Sequence, residues 1–188
     1  MGYQDEVWWS RLAQPRLHTW THSDSSLRLV ELAVPKGDQD PKALCCYGLL
    51  RDDLNKIMLR FVDGRAVSHV TTAYLEWVCE GLAAEGKSVL VLVWDNARWH
   101  TSKEVVDWIR LHNRLMLAQQ RAGKAGVRII PCWLPVKSPW LNPIEPRWMH
   151  GKRNIVEPTR TLTSQELADR ICTYFDSQHF DHLKQQVS

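Results

Sequence analysis

The stretch over residues 88–100, SVLVLVWDNARWH, is the most suggestive chemistry in the chain. Six of its first seven residues are apolar, and Val89, Val91 and Val93 are β-branched. Such a run, ending abruptly in Asp95-Asn96, reads as a strand buried on both faces in a mixed or parallel sheet. Its end delivers a carboxylate to the carboxyl edge of the sheet, where α/β proteins place their sites. Asp95 there is positioned either to hold a metal ion or to cap the turn or helix that follows. A second carboxylate, Glu145, closes the run Asn142-Pro143-Ile144-Glu145. Asn at an N-cap, Pro at the first helical position and Glu three residues after the cap are helix-start chemistry, and by itself the spacing favours a reciprocal cap. Asp5 and Glu6 form a third acidic element in a short run of strand character.

These groups need a scaffold, and 188 residues with 44% apolar content suffice for one domain with a real core. No run has the length of a membrane span, and the N-terminus lacks the apolar segment of a signal peptide. Five cysteines without repeating spacing give no disulfide framework, and Cys45-Cys46 is not a zinc-knuckle spacing. The expectation is a cytoplasmic protein with reduced thiols and no membrane partner.

Charge is unevenly spread. Residues 98–160 carry 12 lysines and arginines against 4 acidic residues, a net of +8, whereas residues 1–97 carry 10 against 13. A basic segment directly after Asp95 points to a polyanion, nucleic acid first. Of the ten tryptophans, Trp99, Trp140 and Trp148 stand beside the polar motifs and could stack on bases.

The coarse order of elements is strand (1–9), strand (27–34), strand (43–50), strand (56–62), helix (68–85), strand (88–94), helix (101–120), strand (127–134), then two helices near Asn142 and Thr163. Alternating apolar residues carry the early strands. Val70, Tyr74, Trp77, Val78 and Leu82 share one face of the first helix, and Gly86 is placed to end it. Thr101-Ser102-Lys103-Glu104 and Thr163-Ser164-Gln165-Glu166 both have capping-box spacing. Pro131 confines its strand to an edge or a bulge. Four residues ahead of Asp5 are few for a strand in the middle of a sheet, so its pairing is expected to fray. Antiparallel strands followed by β-α-β units imply a mixed sheet covered by helices.

Taken together, YQDEVWW, VWDNARWH and LPVKSPWLNPIEPRW resemble the catalytic domain of DDE-type insertion-sequence transposases of the mariner superfamily. The resemblance covers nearly the whole chain, and the third segment is its most specific part. It implies a ribonuclease H-like, retroviral-integrase-like α/β fold: a mixed five-stranded sheet, three antiparallel strands and then parallel β-α-β units, flanked by helices. It implies catalytic and metal-binding roles for Asp5, Asp95 and Glu145, selecting Asp5 over its neighbour Glu6. Two Mg2+ (or Mn2+) ions would be held, with Asp95 the natural bridge, and would serve in-line displacement at phosphorus. The activity implied is DNA strand cleavage and strand transfer in transposition. Candidate DNA contacts are Asn96, His100, Lys137, Ser138, Asn142, Arg147, Trp148 and Lys152, with Lys137 and Arg147 on phosphates and His100 orienting DNA or an attacking water, or merely structural.

The partners implied are mobile-element ends and target DNA, a homodimer, and a separate or upstream helix-turn-helix segment. The location implied is bacterial cytoplasm, associated with the nucleoid. Residues 1–188 read as a single catalytic domain without that recognition region, as in a split or truncated transposase. The alternatives are an impaired remnant that only binds DNA or acts as a scaffold, and a non-transposing nuclease of the same fold. One departure is the gap between Asp95 and Glu145, 50 positions, longer than usual for the superfamily; a helix extension over residues 111–126 would absorb it.

Overall fold

β4 (Val89–Trp94) runs through the sheet interior, its even residues Leu90, Leu92 and Trp94 fully buried. The structure, a computed structural model, describes residues 1–13, 36–155, 157 and 159–184. Around β4 the sheet is built from β1 (Gly2–Ser10), β2 (Ala43–Arg51), β3 (Ile57–Asp63), β5 (Arg128–Trp133) and β6 (Leu183–Lys184), in the order β5-β4-β1-β2-β3-β6. β1, β2 and β3 are antiparallel neighbours, and β4 is parallel to both β1 and β5. Among the described residues the mixed sheet has six strands, where the resemblance implies five. β6 is two residues long and parallel to β3, too short to leave an alternating pattern. The strand expected over residues 27–34 lies outside the described residues.

Helices cover both faces. α1 (Ser68–Ala84) and α2 (Lys103–Arg121) pack with Tyr47, Leu49, Leu90, Leu92 and Trp94 on one side. α3 (Glu145–Ile155) and α4 (Ser164–Tyr174) pack with Val7, Trp9, Leu59 and Phe61 on the other. Residues of opposite parity along β1 therefore enter different cores, which separates Asp5 from Glu6.

β1 corrects the expectation of a frayed edge. It is a central strand of nine residues, paired with β2 from Gly2↔Arg51 to Ser10↔Ala43, with Asp5 opposite Gly48. The hydrogen bond from Asp52 N to the Met1 carbonyl anchors its start. With β4 it pairs only at Gly2↔Leu92 and Tyr3↔Val93. Carried two residues on, that register sets Asp5 beside Asp95, just where the strands part.

β5 is an edge strand, as Pro131 requires. Its outer backbone is covered by side chains of α2: Asn113 accepts from Ile129 N at 2.7 Å and donates to its carbonyl at 2.7 Å, and His112 lies 2.8 Å from the Val127 carbonyl. The second half of α2 is thus tied to the sheet by polar groups, while Leu111 and Leu115 stay exposed. Thr163 and Glu166 form the expected capping box on α4. The box expected at Thr101 does not form: Ser102 is the N-cap, its hydroxyl accepting from Val105 N.

Candidate active site

Asp5, Asp95 and Glu145 line one cleft of about 330 Å³, together with Asn96, Ala97, the segment from Leu134 to Pro139, and Asn142. Asp5 comes from the middle of β1 and Asp95 from the end of β4. Glu145 comes from the first residue of α3, where a carboxylate also suits the positive end of the helix. The three positions are separated widely in the chain, and the fork between β1 and β4 is what assembles the first two.

Asp5 accepts a hydrogen bond from Trp148 Nε1 at 3.0 Å. Burial, reinforced by the negative charges of Glu6, Glu145 and Asp95, pushes its carboxyl up to about 8. Trp148 reaches Asp5 because position 48 has no side chain: a Cβ on Gly48 would lie 2.4 Å from Trp148 Cη2 and 2.6 Å from Cζ2. Trp9 and Phe175 hold the indole edge-on, with ring centroids 6.1 and 5.3 Å away.

Asp95 is exposed, yet one oxygen is fixed. Oδ1 accepts from Ala97 N at 2.9 Å and lies 2.7 Å from His100 Nδ1, which lowers the Asp95 carboxyl below its usual range. His100 is fully buried, and its Nε2 lies 2.8 Å from Glu6 Oε1. Burial works against a charge on this ring. Glu6 and Asp95 together outweigh it and raise His100 to about 9, so at neutral pH the charged ring donates on both sides.

Glu145 does not form the reciprocal cap. Asn142 is buried, and its amide donates instead to the Gln4 carbonyl of β1 at 3.0 Å, so the loop is stitched to the sheet and α3 begins at Glu145. The Glu145 carboxyl is raised by burial and by the charge of Asp95, against the lowering effect of Lys152.

Three residues read from the sequence as DNA contacts are corrected. Trp148 is 2% exposed and engaged with Asp5; its face is covered by core aromatics. His100 and Asn142 are equally buried, with their polar atoms committed to Asp95, Glu6 and Gln4. Of the others, Asn96, Lys137 and Ser138 line the cleft, Asn96 donating to the Leu134 carbonyl and Lys137 taking a left-handed backbone (φ 59). Lys152 is exposed and acts on Glu145. Arg147 faces a separate depression with Lys56, His150 and Tyr174 and donates to Asn55 Oδ1. Trp140, 74% exposed, remains free to meet a ligand. Sequence reasoning passed over Glu6 and Trp148 as partners of the carboxylates.

Asp5, Asp95 and Glu145 are hard oxygen donors of the kind Mg2+ and Mn2+ take, and their mutual repulsion at Asp5 is what a cation would offset. Among the described residues, no three or more His, Cys, Asp or Glu side chains stand close enough to hold an ion as they are. No described helix is long and apolar enough to cross a membrane.

A mixed sheet with helices on both faces and an acidic cleft at the parting of its central strands defines a ribonuclease H-like fold. A family model described as "DDE superfamily endonuclease" matches residues 2–168, and the chain belongs to that family. Divalent-metal use follows from the family. A solved Mos1 transposase paired-end complex with left transposon end is similar at TM-score 0.65 and 13% identity, over 94% of this chain and 48% of that one. The mariner Mos1 paired-end complex with Mn gives 0.62 and 14% over 94% and 48%. The complex with Mg gives 0.59 and 13% over 96% and 56%. This chain therefore spans about half the length of the Mos1 transposases it matches. Comparison with curated protein sequences gives no match.

Proposed function

We propose that these residues are the catalytic domain of a transposase that cuts DNA at the ends of a mobile element and joins the cut end to target DNA. The observation that carries this reading is the convergence of Asp5, Asp95 and Glu145 on one cleft of a DDE-family fold. Asp5, Asp95 and Glu145 would hold the divalent cations. When bound, those cations would supply activation of an attacking oxygen and stabilisation of the leaving one. The chain's own contribution is to hold the acceptors in place: Trp148 orients Asp5, His100 and Ala97 N fix one oxygen of Asp95, and the helix start presents Glu145.

Lys137, Lys152, Asn96 and Ser138 are the proposed contacts to the DNA backbone. Arg147, from its own depression, would take a more distant phosphate. Phosphate contacts position a duplex without reading its sequence, so recognition of element ends is assigned to a helix-turn-helix segment outside these 188 residues. Pairing of two ends is assigned to a homodimer, and the site of action to the nucleoid in the cytoplasm. The similar Mos1 paired-end complex, which holds a left transposon end, supports DNA ends as substrates.

The test is incubation of the chain with Mg2+ or Mn2+, a pre-cleaved DNA end and a supercoiled target. Joining of the end to the target is expected. Nicking without joining would make the protein a nuclease of the same fold, and neither would make it a DNA-binding remnant.

A further inference from the structure

Below the cleft lies a second polar layer, more deeply buried than the carboxylates above it. His100 has no solvent exposure, and each of its ring nitrogens ends on a carboxylate: Asp95 Oδ1 at 2.7 Å and Glu6 Oε1 at 2.8 Å. Trp94 stacks on the ring, centroids 4.6 Å apart and planes 20° from parallel, and Trp99 meets it edge-on. Glu6 is held in turn. Its Oε1 also accepts from Gln4 Nε2 at 2.9 Å, and its Oε2 accepts from Trp99 Nε1 at 3.1 Å. At the other end of the chain of contacts, Asp95 Oδ1 takes a second hydrogen bond from Ala97 N, whereas Oδ2 makes none among the described residues.

We infer that Glu6, acting through His100, is a positioning residue for Asp95. Glu6 fixes the ring, the ring fixes Oδ1, and Oδ2 is left facing the cleft in one orientation. The inference rests on the proposed metal role of Asp95. An exposed aspartate at a strand end would otherwise rotate freely and have to be immobilised with every ion bound. A histidine that links a ligating carboxylate to a buried, saturated one removes that motion beforehand, as outer-shell partners of metal ligands do. Glu6 lies opposite Tyr47 of β2. Its neighbours on that face are core residues such as Tyr47 and Cys45, and an apolar side chain would pack there without three polar partners.

The experiment measures Mn2+ affinity by electron paramagnetic resonance and thermal unfolding on the 188-residue chain, for wild type and four variants. Asp95→Asn is the control and should remove most Mn2+ binding. Glu6→Ala should weaken Mn2+ affinity by about 10–100-fold, the range typical for lost outer-shell partners, with DNA affinity in metal-free buffer unchanged. Glu6→Gln keeps an acceptor for His100 Nε2 while losing the one for Trp99 Nε1, and should lose clearly less Mn2+ affinity than Glu6→Ala. A merely structural role would lower the unfolding temperature of Glu6→Ala and leave Mn2+ affinity alone, and that result overturns the inference. Equal losses in Glu6→Ala and Glu6→Gln overturn it as well, because they point to charge rather than position. Should Glu6→Ala not fold, His100→Asn decides: it keeps a donor for Asp95 and drops Glu6. A loss of fivefold or more supports the relay, and a smaller one overturns it. Wild-type Mn2+ binding by Asp95→Asn would instead remove the metal role of Asp95, and the inference with it.

Discussion

Asp5 and Glu6 are neighbours on β1, both acidic, and the fold gives them opposite conditions. Asp5 enters the face covered by α3 and α4, accepts one side-chain hydrogen bond, from Trp148, and borders the cleft. Glu6 enters the face covered by α1 and α2 and is met by three donors, Gln4, Trp99 and His100. The first carboxyl is under-satisfied and raised to about 8; the second is saturated and paired with a charged ring. A carboxylate with spare acceptor capacity beside other negative charges is suited to a cation that arrives. A carboxylate with both oxygens engaged is suited to holding something else still. One residue of strand parity separates the two roles.

The comparison breaks most sharply at Gly48. With β1 and β2 in register at Asp5↔Gly48, the missing side chain is what lets the Trp148 indole lie against the strand and reach Asp5. Gly48→Ala should destabilise the protein by about 1–3 kcal/mol through overpacking against the Trp148 and Ile144 side chains. It should also cut divalent-dependent nicking, because Asp5 loses its donor. Denaturant unfolding and plasmid nicking check the two effects together.

A smaller effect comes from pH. The folded carboxyl of Asp5 is raised from 3.8 to about 8, so its contribution to stability is full below about pH 4 and is lost as pH rises through 8. His100, raised from 6.5 to about 9, contributes fully below its unfolded value and loses that contribution as pH rises through 9. Through these two groups, metal-free protein should therefore lose stability progressively from about pH 4 to about pH 9. Asp5→Asn should be more stable than wild type at pH 9 by about 1–3 kcal/mol, with the advantage gone near pH 4. Mg2+ should stabilise the wild type and not the variant. Thermal unfolding over this pH range, with and without Mg2+, reads all three, and an Asp5→Asn variant with no growing advantage over wild type between pH 4 and 8 would contradict the burial of a protonated Asp5.

The smallest effect concerns the cleft rim. DNA binding should weaken with salt, and Lys137→Ala and Lys152→Ala should each flatten the log–log slope by about one. A titration that shows no salt dependence would remove the polyanion argument drawn from residues 98–160.

Much of this was legible in the sequence where a local pattern sufficed. The apolar run before Asp95 gave a buried strand, Pro131 gave an edge, and the α1 stripe gave a buried face. Asn-Pro-x-Glu is good cap chemistry by itself, yet the reciprocal cap does not form. The competing partner, the Gln4 carbonyl, lies 138 positions away and leaves no local mark. The fraying expected for β1 followed from counting residues ahead of Asp5, whereas its stability comes from a nine-residue ladder to β2. Trp148 looked like a base-stacking residue because it follows a polar motif, and only the missing side chain at Gly48 shows where it goes. Asp5, Asp95 and Glu145 line the same cleft. The contact between Glu6 and His100 spans 94 positions and belongs to tertiary structure alone.

The central claim, that the cleft carboxylates are the metal-dependent cutting site, is tested most directly by supercoiled-plasmid nicking with Asp95→Asn. Asparagine keeps an acceptor oxygen for Ala97 N and His100 Nδ1, so the variant should fold and unfold like wild type. It should lose Mg2+-dependent nicking by about 10³-fold or more, several kcal/mol of transition-state stabilisation. A folded Asp95→Asn protein that nicks at the wild-type rate would contradict the account.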